Sequence, residues 1–192
     1  NSALLAASVY IFFKYKPTNY YFLIIAILIF IGFGIFIFQK TEYNDYNILY
    51  TKSGPDADVE VLKSKDMDYP IKHLVVNKTF HSGDNGSYSM RVQKKEGYIP
   101  WLLSMKKNNV LVISLATGIT ASSFIDTECV NIDCVEILNT SAKLAYFFND
   151  DNGSISENNN FHLYIDDGRL FVKRTKNKYD IILSDLYQYQ EP

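Results

Sequence analysis

The sequence has little cysteine and no long basic run, and both absences narrow the classes of protein to which it can belong. Two cysteines in 192 residues, Cys129 and Cys134, cannot form a disulfide framework and lack the spacing of a metal site. We therefore expect reduced thiols and no bound metal. No more than two basic residues stand in a row, and the formal net charge is -2, so nucleic acid is not an expected partner.

Charge is also missing from nineteen consecutive residues, Tyr20–Phe38. A helix of that length, at about 1.5 Å per residue, covers the hydrocarbon core of a bilayer, roughly 30 Å thick. Tyr20 and Tyr21 at one end, and Tyr43 and Tyr46 beyond the other, suit the aromatic belts of a membrane protein. A cleaved signal peptide would have a shorter apolar region. Residues 1–40 are thus predicted as a transmembrane region, the tail of one helix followed by a spanning helix at about 20–38.

The region between the apolar stretch and residue 100 carries the signals of a linker and a small sheet. Residues 41–58 are polar and contain the turn-forming pair Gly54-Pro55, which predicts a linker. Residues 59–100 are predicted as a small β-hairpin region with strands at 59–62 and 71–76, followed by a helix at 88–98 that Pro100 ends.

From residue 101 to 192, short apolar runs alternate with helical segments, a pattern typical of a parallel sheet with helices on both faces. The predicted strands are 109–114, 132–137, 161–165 and 179–184. The predicted helices are 119–125, 139–148 and 168–174, and residues 149–160 are predicted as an exposed loop. The predicted fold class is α/β, a Rossmann-like parallel sheet with its first four strands. Because the chain starts with Asn inside an apolar stretch and stops after the fourth strand, we expect a piece of a longer protein, truncated at its C-terminus.

Ligands of such sheets bind at the carboxyl ends of the strands, near the topological switch point. After the first strand, Ser114, Ala116 and Gly118 lie in a turn whose backbone N–H groups a ligand can approach closely. Gly118 is one of the glycines expected in such a turn, and Ser114 and Ala116 stand where two others are expected. A plain strand-to-helix turn explains this segment equally well. Glu136 ends the second strand, eighteen residues after Gly118, where a carboxylate can accept both hydroxyls of a ribose. The alternative is a solvated carboxylate at a strand end.

The next two strand ends also carry carboxylates. Asp166 and Asp167 follow the third strand, and one of them can accept the exocyclic amine of an adenine, although Asp-Asp-Gly is also a common turn. Asp185 follows the fourth strand at the centre of the predicted site, where it is a candidate general base. Its alternative role is to cap a following helix.

The soluble half resembles the spermidine synthase (polyamine aminopropyltransferase) family, and within it the bacterial members in which such a domain follows transmembrane helices. The resemblance covers about residues 59–187. The segments that carry it are Met90–Gln93, Gly97–Pro100, VLVISLATGITA (Val110–Ala121), DCVEIL (Asp133–Leu138), Asn149–Arg169 and YDIILSD (Tyr179–Asp185).

The resemblance implies an S-adenosylmethionine-type fold and a transferase that moves an aminopropyl or methyl group to an amine. The donor would be S-adenosylmethionine or decarboxylated S-adenosylmethionine. By the same resemblance Gly118 and its loop, with Ser114 and Ala116, hold the methionine part of the donor. Glu136 holds the ribose, Asp167 beside Asp166 holds the adenine, Gln93 helps to close the site, and Asp185 deprotonates the attacking amine.

Four residues depart from the family pattern. Gln188 stands where a second Asp is usual, Tyr88-Ser89 replaces an Asp-Glu pair, and Tyr98 replaces a His. The first two changes remove carboxylates that would bind a polycationic amine. Two alternatives therefore stay open. One is a membrane-tethered methyltransferase, which Gln188 favours; the other is a non-catalytic nucleotide-binding regulatory domain on a transporter-like membrane part, which Ser114 and Ala116 favour.

The expected partners are a small-molecule amine or other small acceptor, the membrane and, as one option, a second copy of the chain. Lys14 and Lys16 precede the apolar stretch, which favours a cytoplasmic loop there and a soluble domain outside. A donor substrate made in the cytosol favours the opposite orientation. We expect the inner or plasma membrane of a bacterium, with the soluble domain in the cytoplasm.

Overall fold

The computed structural model describes residues 29–30, 45–65, 68–78, 83–125, 127 and 131–184. The chain divides into two compact units, Asn1–Asn44 and Asp45–Pro192. In the first unit only Ile29 and Phe30 are described, and both are helical and exposed. Across the described ranges, no helix is long and apolar enough to cross a bilayer. The predicted span Tyr20–Phe38 lies outside those ranges except for Ile29 and Phe30.

The second unit begins with a three-stranded antiparallel sheet. Its strands are β1 (Tyr46–Ser53), β2 (Asp58–Ser64) and β3 (Lys72–Val76), in the order β1-β2-β3. Val59, Val61 and Leu74 point into the core and pack with Leu144 and Phe148 from the α/β part. This shared cluster holds the antiparallel sheet against the rest of the unit, since each fully buried aliphatic side chain contributes roughly 1.5–3 kcal/mol.

The four strands predicted after residue 101 form one parallel sheet. They are β4 (Asn109–Ile113), β5 (Asn131–Glu136), β6 (Phe161–Ile165) and β7 (Ile181–Ser184), in the order β6-β5-β4-β7. Because β5 and β6 lie on one side of β4 and β7 on the other, the strand order reverses at β4. The carboxyl end of β4 is therefore the topological switch point, where ligands of this class of sheet bind.

Helices cover both faces of the parallel sheet, as the apolar strand pattern predicts. They are α1 (Ser87–Leu103), α2 (Ile119–Ser122), α3 (Asn139–Leu144), α4 (Asn149–Asn152) and α5 (Gly168–Arg174), with 3-10 turns at Ala145–Phe148 and Ile155–Glu157. On one face Val110 and Val112 pack with Phe124 and Ala145. On the other, Leu111 and Val135 pack with Phe171 of α5. This alternation explains why the strands read as continuous apolar runs.

Several predicted boundaries differ from the structure, and two predictions for the region before β4 are wrong. The stretch 41–58, predicted as a linker, contains β1, in which only Tyr46 and Tyr50 are partly buried. A strand with six exposed residues of eight shows no apolar alternation, so its pattern resembles a linker. Pro100 does not end α1, which continues to Leu103. Proline lacks one N–H donor, and the last turn closes without it because the amide of Ser104 donates to the carbonyl of Pro100 at 3.0 Å.

The segment 149–160 is not the exposed loop that its composition predicts. It forms α4 and a 3-10 turn. Asn152 is completely buried in it, and Ile155 is only 1% exposed. Ile155 belongs to the main core cluster. The segment therefore packs against the loop that follows β4 and forms part of its support.

Candidate ligand site at the carboxyl ends of the parallel strands

The loop after β4 has the backbone of a glycine-rich turn at three positions. Ser114, Ala116 and Gly118 have φ angles of 81°, 46° and 78°. This left-handed region is unfavourable for residues with a side chain, and glycine is its usual occupant. Ser114 and Ala116 thus adopt the conformation that glycine would adopt at these two positions. A turn of this kind lets backbone amides face a ligand closely.

The surroundings explain how Ser114 and Ala116 hold this conformation. The amide of Ser114 donates to the carbonyl of Val135 at 2.8 Å, which ties the start of the loop to β5. The methyl group of Ala116 packs against the cluster of Val59, Leu74 and Phe148. It is therefore partly buried in the core beneath the antiparallel sheet, and this packing offsets part of the backbone strain.

The two strained residues should respond differently to glycine. Ser114→Gly is expected to raise the free energy of unfolding by about 0.5–1 kcal/mol, because it relieves the left-handed strain and removes no core contact. Ala116→Gly relieves similar strain but loses a packed methyl group, so its net effect should lie near zero. Urea unfolding of both variants checks this difference. A Ser114→Gly variant less stable than wild type would contradict the described backbone.

Glu136 joins the end of β5 to this loop. Its side chain is 5% exposed, and its Oε2 accepts the amide of Leu115 at 3.0 Å and, more weakly, that of Ala116 at 3.5 Å. Its Oε1 accepts the amide of Leu138 at 2.9 Å. A carboxylate oxygen has two lone pairs, so Oε1 keeps the capacity for a further donor such as a ribose hydroxyl. Glu136 is thus a buried strand-end carboxylate, and the alternative of a solvated one is wrong.

Gln93 of α1 reaches the same loop from another side. Its Oε1 accepts the hydroxyl of Thr117 at 2.8 Å, and its Nε2 donates to the carbonyl of Asp84 at 2.9 Å and to the hydroxyl of Ser89 at 3.1 Å. The amide group therefore links the turn before α1 to the loop after β4. This contact brings Gln93 to the loop after β4, and the role that the resemblance implies for it, helping to close the site, stays a prediction.

Asp166 and Asp167 lie at the carboxyl end of β6 and already have structural partners. The amide of Asp166 donates to the carbonyl of Glu136 at 3.1 Å, and its carboxylate binds the guanidinium of Arg174. Asp167 caps α5 by accepting the amide of Leu170 on Oδ1 at 2.9 Å. Asp167 therefore stabilises the start of α5, and Asp166 binds the residue at its end. A role in holding adenine stays a prediction, and it would have to use the second oxygen of Asp167 or the exposed side of Asp166.

Asp185, the predicted general base, lies outside the described residues. The last described residue of β7 is Ser184, which pairs in register with Ile113 at the end of β4. The strand that leads to Asp185 is thus observed beside the candidate loop. Its catalytic role stays a prediction.

Two residues that hold the loop in place, Asn152 and Thr117, were not predicted from the sequence. The amide of Asn152 donates to the carbonyl of Thr117 at 2.8 Å and to that of Ala145 at 3.0 Å. Thr117 itself is 1% exposed, and its hydroxyl donates a hydrogen bond to Gln93. The polar run that contains Asn152 gives no hydrophobic signal, so its burial was not predictable from pattern.

Other buried polar groups stabilise the unit away from the loop. The Lys72 ammonium lies 3.1 Å from a carboxylate oxygen of Asp151, which Asn85 also bonds at 3.0 Å. Burial lowers the pKa of His73, and the nearby Asp84 carboxylate opposes that shift. Burial, together with a hydrogen bond to Asp133, raises the pKa of Tyr179. His73 and Tyr179 are therefore held in their neutral forms near pH 7.

No group of three or more His, Cys, Asp or Glu side chains in the part of the chain described by the structure could hold a metal ion. The polar groups that gather at the end of β4 are backbone amides, the buried carboxylate of Glu136, which accepts two of them, and the side-chain amides of Gln93 and Asn152. Among these groups, Glu136 keeps the capacity to accept a hydrogen bond from a ligand hydroxyl. The strand order, with its switch point at β4, defines an α/β fold of the Rossmann-like class.

The comparisons with known proteins identify the type of fold more closely. Two solved spermidine synthases superpose on the chain. One is in complex with the transition-state analogue AdoDATO, with a TM-score of 0.59 over 73% of this chain and 46% of that chain. The other is from Thermotoga maritima, with a TM-score of 0.58 over 72% of this chain and 48% of that chain. At 14% identity each, they establish a spermidine synthase fold.

Sequence similarity points to the same family. The chain is 34% identical over 89 residues to a polyamine aminopropyltransferase from Alkaliphilus oremlandii (strain OhILAs). The matched part is 46% of this chain and 31% of that protein, so the chain spans well under half of its relative. No family model matches. The predicted resemblance to the spermidine synthase family is thus confirmed in sequence and in fold.

Proposed function

We propose that the chain carries the nucleoside-binding part of a spermidine synthase-like transferase. The observation that supports this most strongly is the junction at the end of β4, where three left-handed loop positions meet the buried carboxylate of Glu136. A sulfonium nucleoside has ribose hydroxyls that a carboxylate can accept. It also has a chain beyond the sulfur that needs close contact with backbone. The loop and Glu136 supply both kinds of contact.

The donor that this proposal favours is decarboxylated S-adenosylmethionine, and the acceptor is a small amine. An ammonium group cannot attack until it loses a proton, and in our proposal Asp185 accepts that proton. The nitrogen lone pair then forms a C–N bond with the aminopropyl carbon that is bonded to the sulfonium sulfur, and the bond between that carbon and sulfur breaks. Its electron pair goes to sulfur, so methylthioadenosine leaves as a neutral thioether.

The two alternatives stand differently. Methyl transfer from S-adenosylmethionine uses the same loop and carboxylate, and Gln188 is its main support. The hypothesis of a non-catalytic domain rests on the absence of glycine at positions 114 and 116, where Ser114 and Ala116 stand. Because both residues keep left-handed backbones, that absence does not argue against ligand binding. Transfer of an aminopropyl group is therefore the function that we put forward.

We also propose that Tyr20–Phe38 spans the membrane and that the nucleoside-binding unit faces the cytoplasm, where its donor is made. The support is the uncharged length of the segment, with tyrosines at its ends. Membranes from expressing cells should retain the protein after alkaline carbonate washing. Release into the carbonate supernatant would refute a spanning segment.

The activity test uses the full-length protein in detergent, with decarboxylated S-adenosylmethionine and a panel of small amines. Wild type should release methylthioadenosine with at least one of the amines. Asp185→Asn should slow that release by about a hundredfold or more while changing the dissociation constant for methylthioadenosine by no more than about threefold. Asp180→Asn is the matched control, because Asp180 caps the opposite end of β7 through the amides of Asn108 and Asn109. Full activity of Asp185→Asn would exclude Asp185 as the base.

A further inference from the structure

Asn152 is a fully buried side chain between two segments of backbone. It is 0% exposed and lies at the end of the four-residue helix α4. Its Nδ2 donates to the carbonyls of Thr117 and Ala145, and its Oδ1 accepts the amide of Ile155 at 3.4 Å. Both amide hydrogens and the carbonyl oxygen are therefore used. A buried amide that satisfies this many partners fixes the geometry of each of them.

The partner of most interest is the peptide group between Thr117 and Gly118. Asn152 holds its carbonyl, and its N–H donates to the carbonyl of Leu115 at 2.8 Å. Gly118 is left-handed, and a Cβ placed on it would lie 3.1 Å from Nδ2 of Asn152 and 3.2 Å from Cγ2 of Ile155. Asn152 therefore lies directly against the turn and leaves no room for a side chain there.

Strained backbone persists only where its surroundings determine it fully. Glu136 holds the amides of Leu115 and Ala116, and Gln93 holds the hydroxyl of Thr117. Neither of them fixes the carbonyl of Thr117. Without the donation from Asn152, only the bond from the Gly118 amide to the Leu115 carbonyl would hold the Thr117–Gly118 peptide. Breaking that one remaining bond would let the peptide rotate about its flanking bonds. Such a rotation would reverse the directions of one donor and one acceptor in the loop.

We propose that Asn152 is a positioning residue for nucleoside binding, the third support of the loop after Glu136 and Gln93. This inference rests on the proposed function, since it concerns the same loop. Asn152 does not need to touch the ligand. It keeps the Thr117–Gly118 peptide in the orientation that the ligand meets, and so links affinity to the segment 149–160.

The test compares Asn152→Asp with wild type in full-length protein, using methylthioadenosine as the probe. Aspartate has nearly the same shape and can still accept from Ile155, but as a carboxylate it cannot donate to either carbonyl. We expect the dissociation constant to rise about tenfold. Hydrogen exchange of the peptide that contains residues 114–119 should also become faster, because the Gly118 amide loses its fixed orientation.

Tyr179→Phe is the control for a purely structural effect. Tyr179 lies just before the amino end of β7, and its hydroxyl donates to Asp133 at 2.7 Å. The amino ends of the strands are opposite to the carboxyl ends, where the loop lies. This variant should lower the free energy of unfolding but leave both the dissociation constant and the exchange of residues 114–119 unchanged.

Two outcomes would overturn the inference. One is an Asn152→Asp variant that binds methylthioadenosine within about twofold of wild type. The other is unchanged exchange in residues 114–119 of that variant, and this readout needs no ligand. If wild type fails to bind methylthioadenosine, the proposed function fails instead, and the exchange measurement still decides whether Asn152 holds the loop.

Discussion

Replacing Gly97 by alanine is expected to lower the free energy of unfolding by about 2–3 kcal/mol. Gly97 is the buried residue of α1 that faces α2. A Cβ at this position would lie 1.7 Å from the hydroxyl oxygen of Ser123 and 3.0 Å from the backbone carbonyl of Thr120. The serine hydroxyl can move, but the backbone carbonyl cannot without a shift of the whole helix. The overlap outweighs the gain in helix propensity, which is about 1 kcal/mol.

The same change at Gly54 is a matched control, because a Cβ there would meet the carbonyl of Ala57 at an ordinary 3.5 Å. Gly54→Ala should therefore be close to neutral in urea unfolding. Ser123→Ala added to Gly97→Ala should restore part of the lost stability, since it removes the atom in closest overlap. Equal stability of the Gly97 and Gly54 variants would contradict the close packing of α1 on α2.

Gly97 also bears on the site, because Gln93 precedes it by one turn of α1. If α1 moves away from α2, Gln93 moves away from Thr117, to which it is bonded at 2.8 Å. The loop would then lose one of its three supports. We expect Gly97→Ala to weaken nucleoside binding as well as folding.

Glu136→Gln is expected to weaken binding of methylthioadenosine by about a hundredfold, which corresponds to about 2.7 kcal/mol. The carboxylate is an acceptor on both oxygens, whereas an amide offers one acceptor and one donor. In either orientation the glutamine NH₂ group would face a backbone amide, that of Leu115 or that of Leu138. The variant should therefore also lose about 2 kcal/mol of stability. Calorimetric titration and urea unfolding measure the two effects separately.

Glu157→Gln is the control for the change from carboxylate to amide, because Glu157 is exposed on the 3-10 turn after α4. It should leave both affinity and stability as in wild type. A Glu136→Gln variant that unfolds more easily but binds with unchanged affinity would leave Glu136 as a support of the loop only. That result would remove its proposed contact with the ribose.

The parallel sheet could be predicted from sequence because its physical cause is visible there. Strands buried on both faces appear as continuous apolar runs, and β4 and β5 are of this kind. The predicted bounds of α5, 168–174, are also confirmed, and the structure adds that Asp167 caps this helix. These local signals do not depend on the rest of the fold.

The parts that failed depend on contacts between distant segments. β1 is mostly exposed and forms because β2 offers it a partner, so its own residues give no alternation. Asn152 belongs to a run of polar residues, and only the carbonyls of Thr117 and Ala145 give it a reason to be buried. Side-chain bonding to a backbone far along the chain leaves no periodic trace in a sequence.

The candidate site was predictable in its positions but not in its bonding. Glu136 and Gln93 lie where the sequence places them, yet their contacts with Leu115 and Thr117 come only from the structure. From the sequence, Ser114 and Ala116 at positions where glycine is expected favoured a domain without a catalytic site. The φ angles, which sequence does not reveal, show that the backbone is kept.

Direct titration of the full-length protein with decarboxylated S-adenosylmethionine, S-adenosylmethionine and methylthioadenosine tests the central claim. We predict saturable binding with dissociation constants roughly between 1 μM and 1 mM, tightest for decarboxylated S-adenosylmethionine and weakened by Glu136→Gln. Tighter binding of S-adenosylmethionine would favour methyl transfer over aminopropyl transfer. Absence of binding to all three compounds by the folded protein would contradict a nucleoside site at the end of β4.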